Sequence, residues 1–328
     1  MRKHIAIALL SAGVGVTGCG GGGGSGGGGG DNPDAPGSDS GGGSDSGHDG
    51  NTNPGNKPTI FTIVLENHDY VEIVGSANAP YVNSLIAMGG LATNYKDTNH
   101  PSLPNYLHMI SGADQYFGLF DLDPVTAGFF PVDQPNLATQ LESKGVKWRS
   151  YQESMGTPCR LTATADNLYA PKHDPFLYFT DQQSNTARCA DTNVDYSEFA
   201  ADLATDAYDY QWITPNLTDD GHDPAADPVG ALKTCDHWMS TEIPKILASE
   251  GFKNNGILFI TWDEAEGRNG DNADLIPMII LSNRIKQPGM TSNTAFTHSS
   301  YLATIEDLLG MPRLATVTAT TNLMEFLN

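Results

Sequence analysis

The chain has 328 residues, of which 39% are hydrophobic and 36 are glycine, and a formal net charge of −22 at pH 7. That charge argues against a nucleic-acid partner and against direct adhesion to an anionic lipid surface. The length allows one large domain in addition to a leader and a linker.

The first residues, Met1-Arg2-Lys3-His4, are basic, and Ile5–Val16 is an apolar stretch too short to span a bilayer as a mature helix. It runs into Val16-Thr17-Gly18-Cys19, which resembles a bacterial lipoprotein cleavage box. Residues 1–19 are therefore expected to be a signal peptide. The exported product would then start at a lipid-bearing Cys19 and sit in the cell envelope, held to a membrane. An ordinary secretory signal with an incidental Cys19 is the alternative, and the small-small-Cys order favours the lipoprotein. Residues 20–57 are Gly, Ser, Asp, Asn and Pro with almost nothing apolar, a composition that cannot offset chain entropy by burial and predicts a flexible tether.

The catalytic domain is expected over residues 58–328. Thr59–Leu65 is continuous, apolar and rich in β-branched residues, as a parallel strand covered on both faces requires. Helical spacing follows over Pro80–Met88, closed by Gly89-Gly90, and Ser102–Ile110 reads as a helix entered through Pro101 and stopped before Gly112. Asn136–Lys144 is an amphipathic helix capped by Asn136, and a strand is expected around Val146–Tyr151. From Glu153 to Asp195 no period is visible, which predicts an ordered excursion. Tyr196–Thr205 (helix), Gln211–Thr214 (strand), Asp236–Ser249 (helix), Gly256–Trp262 and Ile276–Ser282 (strands) and Ser300–Leu309 (helix) complete the order. Alternation of this kind predicts a three-layer α/β/α sandwich around a largely parallel sheet. Export favours disulfides, and Cys159 with Cys189 is the expected pair. Cys235 is left as a buried thiol or as a partner in a different pairing.

Two of the apolar strands end in polar pairs that carry carboxylates, Glu66-Asn67 and Asp263-Glu264. Groups just past the carboxyl ends of parallel strands line the ligand crevice of an open α/β sheet. Two such pairs, with a histidine-bearing loop at Thr297-His298-Ser299-Ser300, point to a hard cation. Oxygen and nitrogen donors without cysteine suit Mg, Mn, Ca or Zn. Ser102 stands at an expected helix start, where amide groups and the helix dipole favour an anion.

The motifs Leu65-Glu66-Asn67, His100-Pro101-Ser102-Leu103-Pro104-Asn105-Tyr106, Lys172-His173-Asp174-Pro175-Phe176, Pro215-Asn216-Leu217 with Asp220-Gly221-His222-Asp223, Trp262-Asp263-Glu264 and Thr297-His298-Ser299-Ser300 occur in this order. Together they resemble the phosphoesterase family of the alkaline phosphatase superfamily, which holds secreted acid phosphatases and non-haemolytic phospholipases C. The resemblance covers nearly all of Pro58–Pro312. It implies an alkaline-phosphatase-like fold and a phosphoric ester hydrolase. Glu66, Asn67, Asp263 and Glu264 take the positions of metal ligands, and Ser102 that of both ligand and nucleophile. Asn105 matches a residue that binds the phosphoryl group, and His298 one that faces substrate or a second metal. His173, Asp174, Asp220, His222 and Asp223 match positions at substrate or a second metal. The chain departs from the family pattern after Glu264, where Ala265-Glu266-Gly267 stands, and it is expected to lack the C-terminal extension of the large phospholipases. It is thus closer to the compact acid phosphatases, some of which resemble phosphatidylinositol 3-phosphatases. The expected activity is a metal-dependent phosphomonoesterase acting through a phosphoserine. A phospholipase C-type phosphodiesterase and a decayed surface binding protein are the other readings.

Overall fold

Two six-residue strands, β1 (Ile60–Leu65) and the strand Ile257–Trp262, lie side by side and parallel, and every residue of both is buried. Their uninterrupted apolar sequences follow from that position, since layers cover both of their faces. The computed structural model describes residues 57–113, 121–223, 226–267 and 274–328. The expected signal segment, Cys19 and the tether up to residue 56 lie outside the described residues.

In chain order the strands are β1, β2 (Gly90–Lys96), β3 (Trp148–Gln152), β4 (Asn193–Asp195), β5 (Tyr210–Thr214), β6 (Ile257–Trp262), β7 (Leu275–Ser282), β8 (Met290–Ser292) and β9 (Phe296–Thr297). They form one sheet in the order β4-β3-β5-β1-β6-β7-β2-β8, with β9 also paired to β2. Strand β7 runs antiparallel to both of its neighbours, and the other pairings are parallel. Helices cover both sides of this mixed sheet. Pro80–Met88 packs on the long helix Pro228–Ala248, and Ser102–Ser111 packs on His298–Leu308 and Leu137–Ser143.

The expected elements reappear with shifted bounds. Gly90, expected to close a helix, opens β2, whose polar sequence hides a strand held by tertiary pairing to β7, β8 and β9. The helix expected from Asp236 starts at Pro228, where Asp227 caps the Gly230 amide at 3.0 Å. The excursion 153–195 is short helical turns plus β4, and its ends are tied by a Cys159–Cys189 disulfide with Cα atoms 5.3 Å apart, inside the usual range. Cys235 is a free, buried thiol.

Candidate active site

Strands β1 and β6 are in register to their last residues, Leu65 opposite Trp262. The chain therefore leaves the sheet twice at one level, and Glu66-Asn67 and Asp263-Glu264 emerge next to each other. Backbone bonds stitch the exits together: the Asp263 amide donates to Leu65 O and the Glu66 amide to Asp220 O, both at 2.9 Å. Asn67 turns the chain with φ 21°, a conformation that asparagine tolerates better than most side chains. In that turn its amide N–H lies 3.2 Å from Asp263 Oδ1, and its side-chain Nδ2 donates to Glu264 Oε1 at 2.8 Å.

Ser102 opens its helix after Pro101, and Gly112 closes it in the left-handed conformation with φ 63°. Pro104 fits inside the first turn because the first amides of a helix have no partner within it. The Ser102 hydroxyl stands 3.0 Å from Glu66 Oε2, 3.3 Å from Glu264 Oε1 and 3.5 Å from both Asn67 Oδ1 and Lys172 Nζ. The two strand ends and the helix start thus meet at one oxygen.

Around this centre the electrostatics are crowded. Glu66 Oε1 accepts from Tyr106 Oη at 2.8 Å and lies 3.0 Å from His173 Nε2, while Lys172 Nζ lies 3.7 Å from Glu66 Oε2. Burial alone would raise the Glu66 carboxyl, but the neighbouring His173 and Lys172 charges reverse this and hold it well below the usual range. Asp220 and Asp263 are helped too little: Lys172 and Ser102 lower Asp263, and the His222 and Asp223 amides lower Asp220, but neither set outweighs burial. Burial, and then the charge of Glu66, push both far above an ordinary aspartate. Asp263 Oδ2 and Asp220 Oδ2 are each buried without a hydrogen-bond partner. Buried carboxylate oxygens left unpaired in a cluster of like charges are what a cation would complete. Carboxylates, an amide oxygen and a hydroxyl are also the donors that a divalent ion takes. Glu66, Asn67, Ser102, Asp263 and Glu264 therefore fit a metal.

Other sequence-predicted residues stand around the centre. Asn105 is fully buried: its Oδ1 accepts from Thr98 N, Thr98 Oγ1 and Asn99 N, and its Nδ2 donates to Asn99 O and, at 3.4 Å, to Glu264 Oε2. His298 sits behind Asp263, donating Nε2–H to the Asp263 carbonyl at 2.6 Å and accepting from Tyr95 Oη at 3.1 Å. Burial lowers it to about 3, so it is neutral, as that tautomer requires. Asp174, next to His173 in the chain, accepts from Ser150 Oγ at 3.1 Å, and burial pushes it up to about 8. Asp220 Oδ1 caps the turn at the His222 and Asp223 amides, and His222 Nε2 is 3.0 Å from Glu266.

The structure adds four residues that sequence reasoning gave no site role. Tyr106 is one helical turn after Ser102. His100 Nδ1 donates to Glu264 Oε2 at 2.7 Å; that bond outweighs burial, which lowers the imidazole, and raises it to about 9. Asp97 accepts from the Ala265 amide at 2.8 Å and, with His100 and Asp274, forms a further cluster of possible ligand atoms. Asp121 bonds Lys172 at 2.9 Å. Tyr106 and His100 were open to detection, since both lie in the Ser102 motif. Asp97 and Asp121 carry no sequence signal.

A sequence model of the phosphoesterase family matches residues 74–312. The chain is 28% identical to a protein of Kluyveromyces lactis named "Probable acid phosphatase", over 81% of this chain and 61% of that protein. It is 28% identical to a Mycobacterium tuberculosis protein named "Phosphatidylinositol-3-phosphatase", over 77% of each. The chain thus spans about three fifths of the length of the first relative. A solved structure of a Vibrio parahaemolyticus protein in the alkaline phosphatase superfamily superposes with a TM-score of 0.54 at 14% identity, covering 82% of this chain and 70% of that one. At that identity the likeness concerns the fold alone. With strand ends, helix start and matched residues in agreement, this chain belongs to the phosphoesterase family.

Proposed function

We propose that the chain is a metal-dependent phosphomonoesterase that works outside the cytoplasm through a phosphoserine at Ser102. The observation that carries this reading is the Ser102 hydroxyl at a helix N-terminus, 3.0 Å from Glu66, 3.3 Å from Glu264 and 3.5 Å from Lys172 Nζ. A nucleophile, acceptors for its proton and a cation for the phosphoryl oxygens thereby converge on one place.

A divalent cation held by Glu66, Asn67, Ser102, Asp263 and Glu264 would supply positive charge beside the hydroxyl and the phosphoryl oxygens. Mg, Mn, Ca and Zn all match the donors. The remaining work belongs to the chain. Ser102 Oγ attacks phosphorus, its proton passes to a neighbouring carboxylate oxygen, and the alcohol departs with a proton from solvent. Water then cleaves the phosphoserine and restores the hydroxyl. Lys172 faces the transferring group, Tyr106 and His173 hold Glu66, Asn105 and His100 hold Glu264, and His298 holds the backbone of Asp263. Asn105 and His298 thus act as positioning residues. The name of the mycobacterial relative places phosphoinositides among the substrates to assay.

Ser102→Ala should lower turnover of p-nitrophenyl phosphate by about three orders of magnitude or more while the fold survives. Acid quenching with labelled substrate should leave phosphate on the Ser102 peptide of the wild type. Near-normal turnover in Ser102→Ala would sink the reading, and preference for bis-p-nitrophenyl phosphate would turn it into a phosphodiesterase. The same proposal holds the domain of residues 58–328 on a membrane through Cys19 and the tether. Cys19→Ser protein should then move to the soluble fraction, whereas unchanged fractionation would remove the anchor.

A further inference from the structure

The helix that begins at Ser102 presents amides with no partner inside the helix. Of these, the Leu103 amide donates to Asp121 Oδ1 at 3.0 Å. The second oxygen of the same carboxylate, Oδ2, accepts from Lys172 Nζ at 2.9 Å. These two donors flank the nucleophile: Leu103 is the next residue in the chain, and Lys172 Nζ is 3.5 Å from Ser102 Oγ. An internal anion thus bridges a helix-start amide and an ammonium group beside the reacting hydroxyl, where two oxygens of a phosphoryl group would find the same partners. Asp121 is poorly suited to staying there once a phosphate arrives. Its side chain is about one-third exposed, and its charge would repel the incoming anion.

We propose that Asp121 is a built-in occupant of the phosphoryl-oxygen site, and that a phosphate group binds by displacing its carboxylate from the Leu103 amide and Lys172. The inference rests on the reading of Ser102 as the phosphoryl-accepting centre. Its consequence is quantitative: the carboxylate competes with substrate and product alike, so it weakens phosphate binding and eases product release.

The test is calorimetric titration of the full chain with inorganic phosphate, in the presence of the activating divalent cation, for wild type, Asp121→Asn and Asp121→Ala. Releasing two charge-assisted donors from an internal competitor should tighten phosphate roughly tenfold or more in both variants. The Michaelis constant for p-nitrophenyl phosphate should fall in step, and product inhibition should become stronger. Adding Lys172→Ala to Asp121→Asn should remove most of the gain. The opposite sign, with phosphate bound equally or more weakly by folded variants, would show that Asp121 only props Lys172 in place and would overturn the inference while the Ser102 reading stands. If wild type neither binds phosphate nor forms the Ser102 phosphopeptide, the active-site reading itself fails and takes this inference with it. The asparagine variant keeps the shape of the side chain, so thermal melts separate a folding defect from a binding effect.

Discussion

Thr62 and Glu66 lie on the same run of chain, Thr62 within β1 and Glu66 just past its end, yet their surroundings are opposites. Thr62 Oγ1 is 2.7 Å from Tyr301 Oη, which is in turn 2.8 Å from Tyr210 Oη, and all three residues are fully buried. That network is neutral, and each hydroxyl has a partner. Four residues on, Glu66 meets Asp220, Asp263 and Glu264 in a cluster whose buried carboxylate oxygens are partly unpaired. A buried polar network is stabilising when complete and costly when it is not. The incomplete cluster is therefore tolerated for something other than the fold.

A pair of substitutions can break that comparison. Asp263→Asn should abolish tight cation binding and lower turnover by at least about two orders of magnitude. In metal-free protein, however, it should raise the melting temperature near neutral pH, because folding no longer has to suppress the ionisation of a buried carboxyl beside Glu66. Exhaustive chelation of wild type should reproduce the loss of turnover. Tyr301→Phe should do the reverse, costing about 1–3 kcal/mol in denaturant unfolding through two stranded hydroxyl partners while leaving turnover nearly unchanged. If Asp263→Asn destabilised the metal-free protein as much as Tyr301→Phe, the two regions would not differ in kind.

Asp174 sharpens the contrast with a smaller effect. Burial raises it from 3.8 to about 8, so the folded state keeps a proton that the unfolded state releases. The folded state therefore binds more protons across that window, and stability must fall as pH rises from about 4 to about 8. Asp174→Asn should remove this slope, with no gain near pH 4 and the largest gain in melting temperature above pH 8. A gain that did not vary with pH would mean that the carboxyl is not strained by its burial.

The parts legible in sequence are those where local pattern and tertiary role coincide. Residues 60–65 and 257–262 are apolar throughout because layers bury both faces of the central strands, and that signal survives without knowledge of the fold. Glu66, Asn67, Asp263 and Glu264 follow from it, since strand ends are where such sheets bind ligands. Strand β2 was illegible because Gly-Leu-Ala-Thr-Asn-Tyr-Lys has no strand pattern of its own and is held in the sheet by its neighbours. Asp97 and Asp121 were hidden for a related reason. Each reaches the site through a backbone amide distant in sequence, Ala265 and Leu103 respectively, and no spacing encodes such a contact. His298 was found as a residue type at the right place, but only the fold shows that its ring faces the Asp263 carbonyl.

The register of β1 with β6 bears on how this site can evolve. Because Glu66 and the Asp263-Glu264 pair hang from strand ends aligned at Leu65 and Trp262, exchanging one acid for another changes reach by a single methylene and leaves the backbone where it is. Adding or removing one residue inside either strand would instead carry its terminal carboxylate to the opposite face of the sheet. The site is thus open to gradual tuning by substitution and closed to drift by insertion.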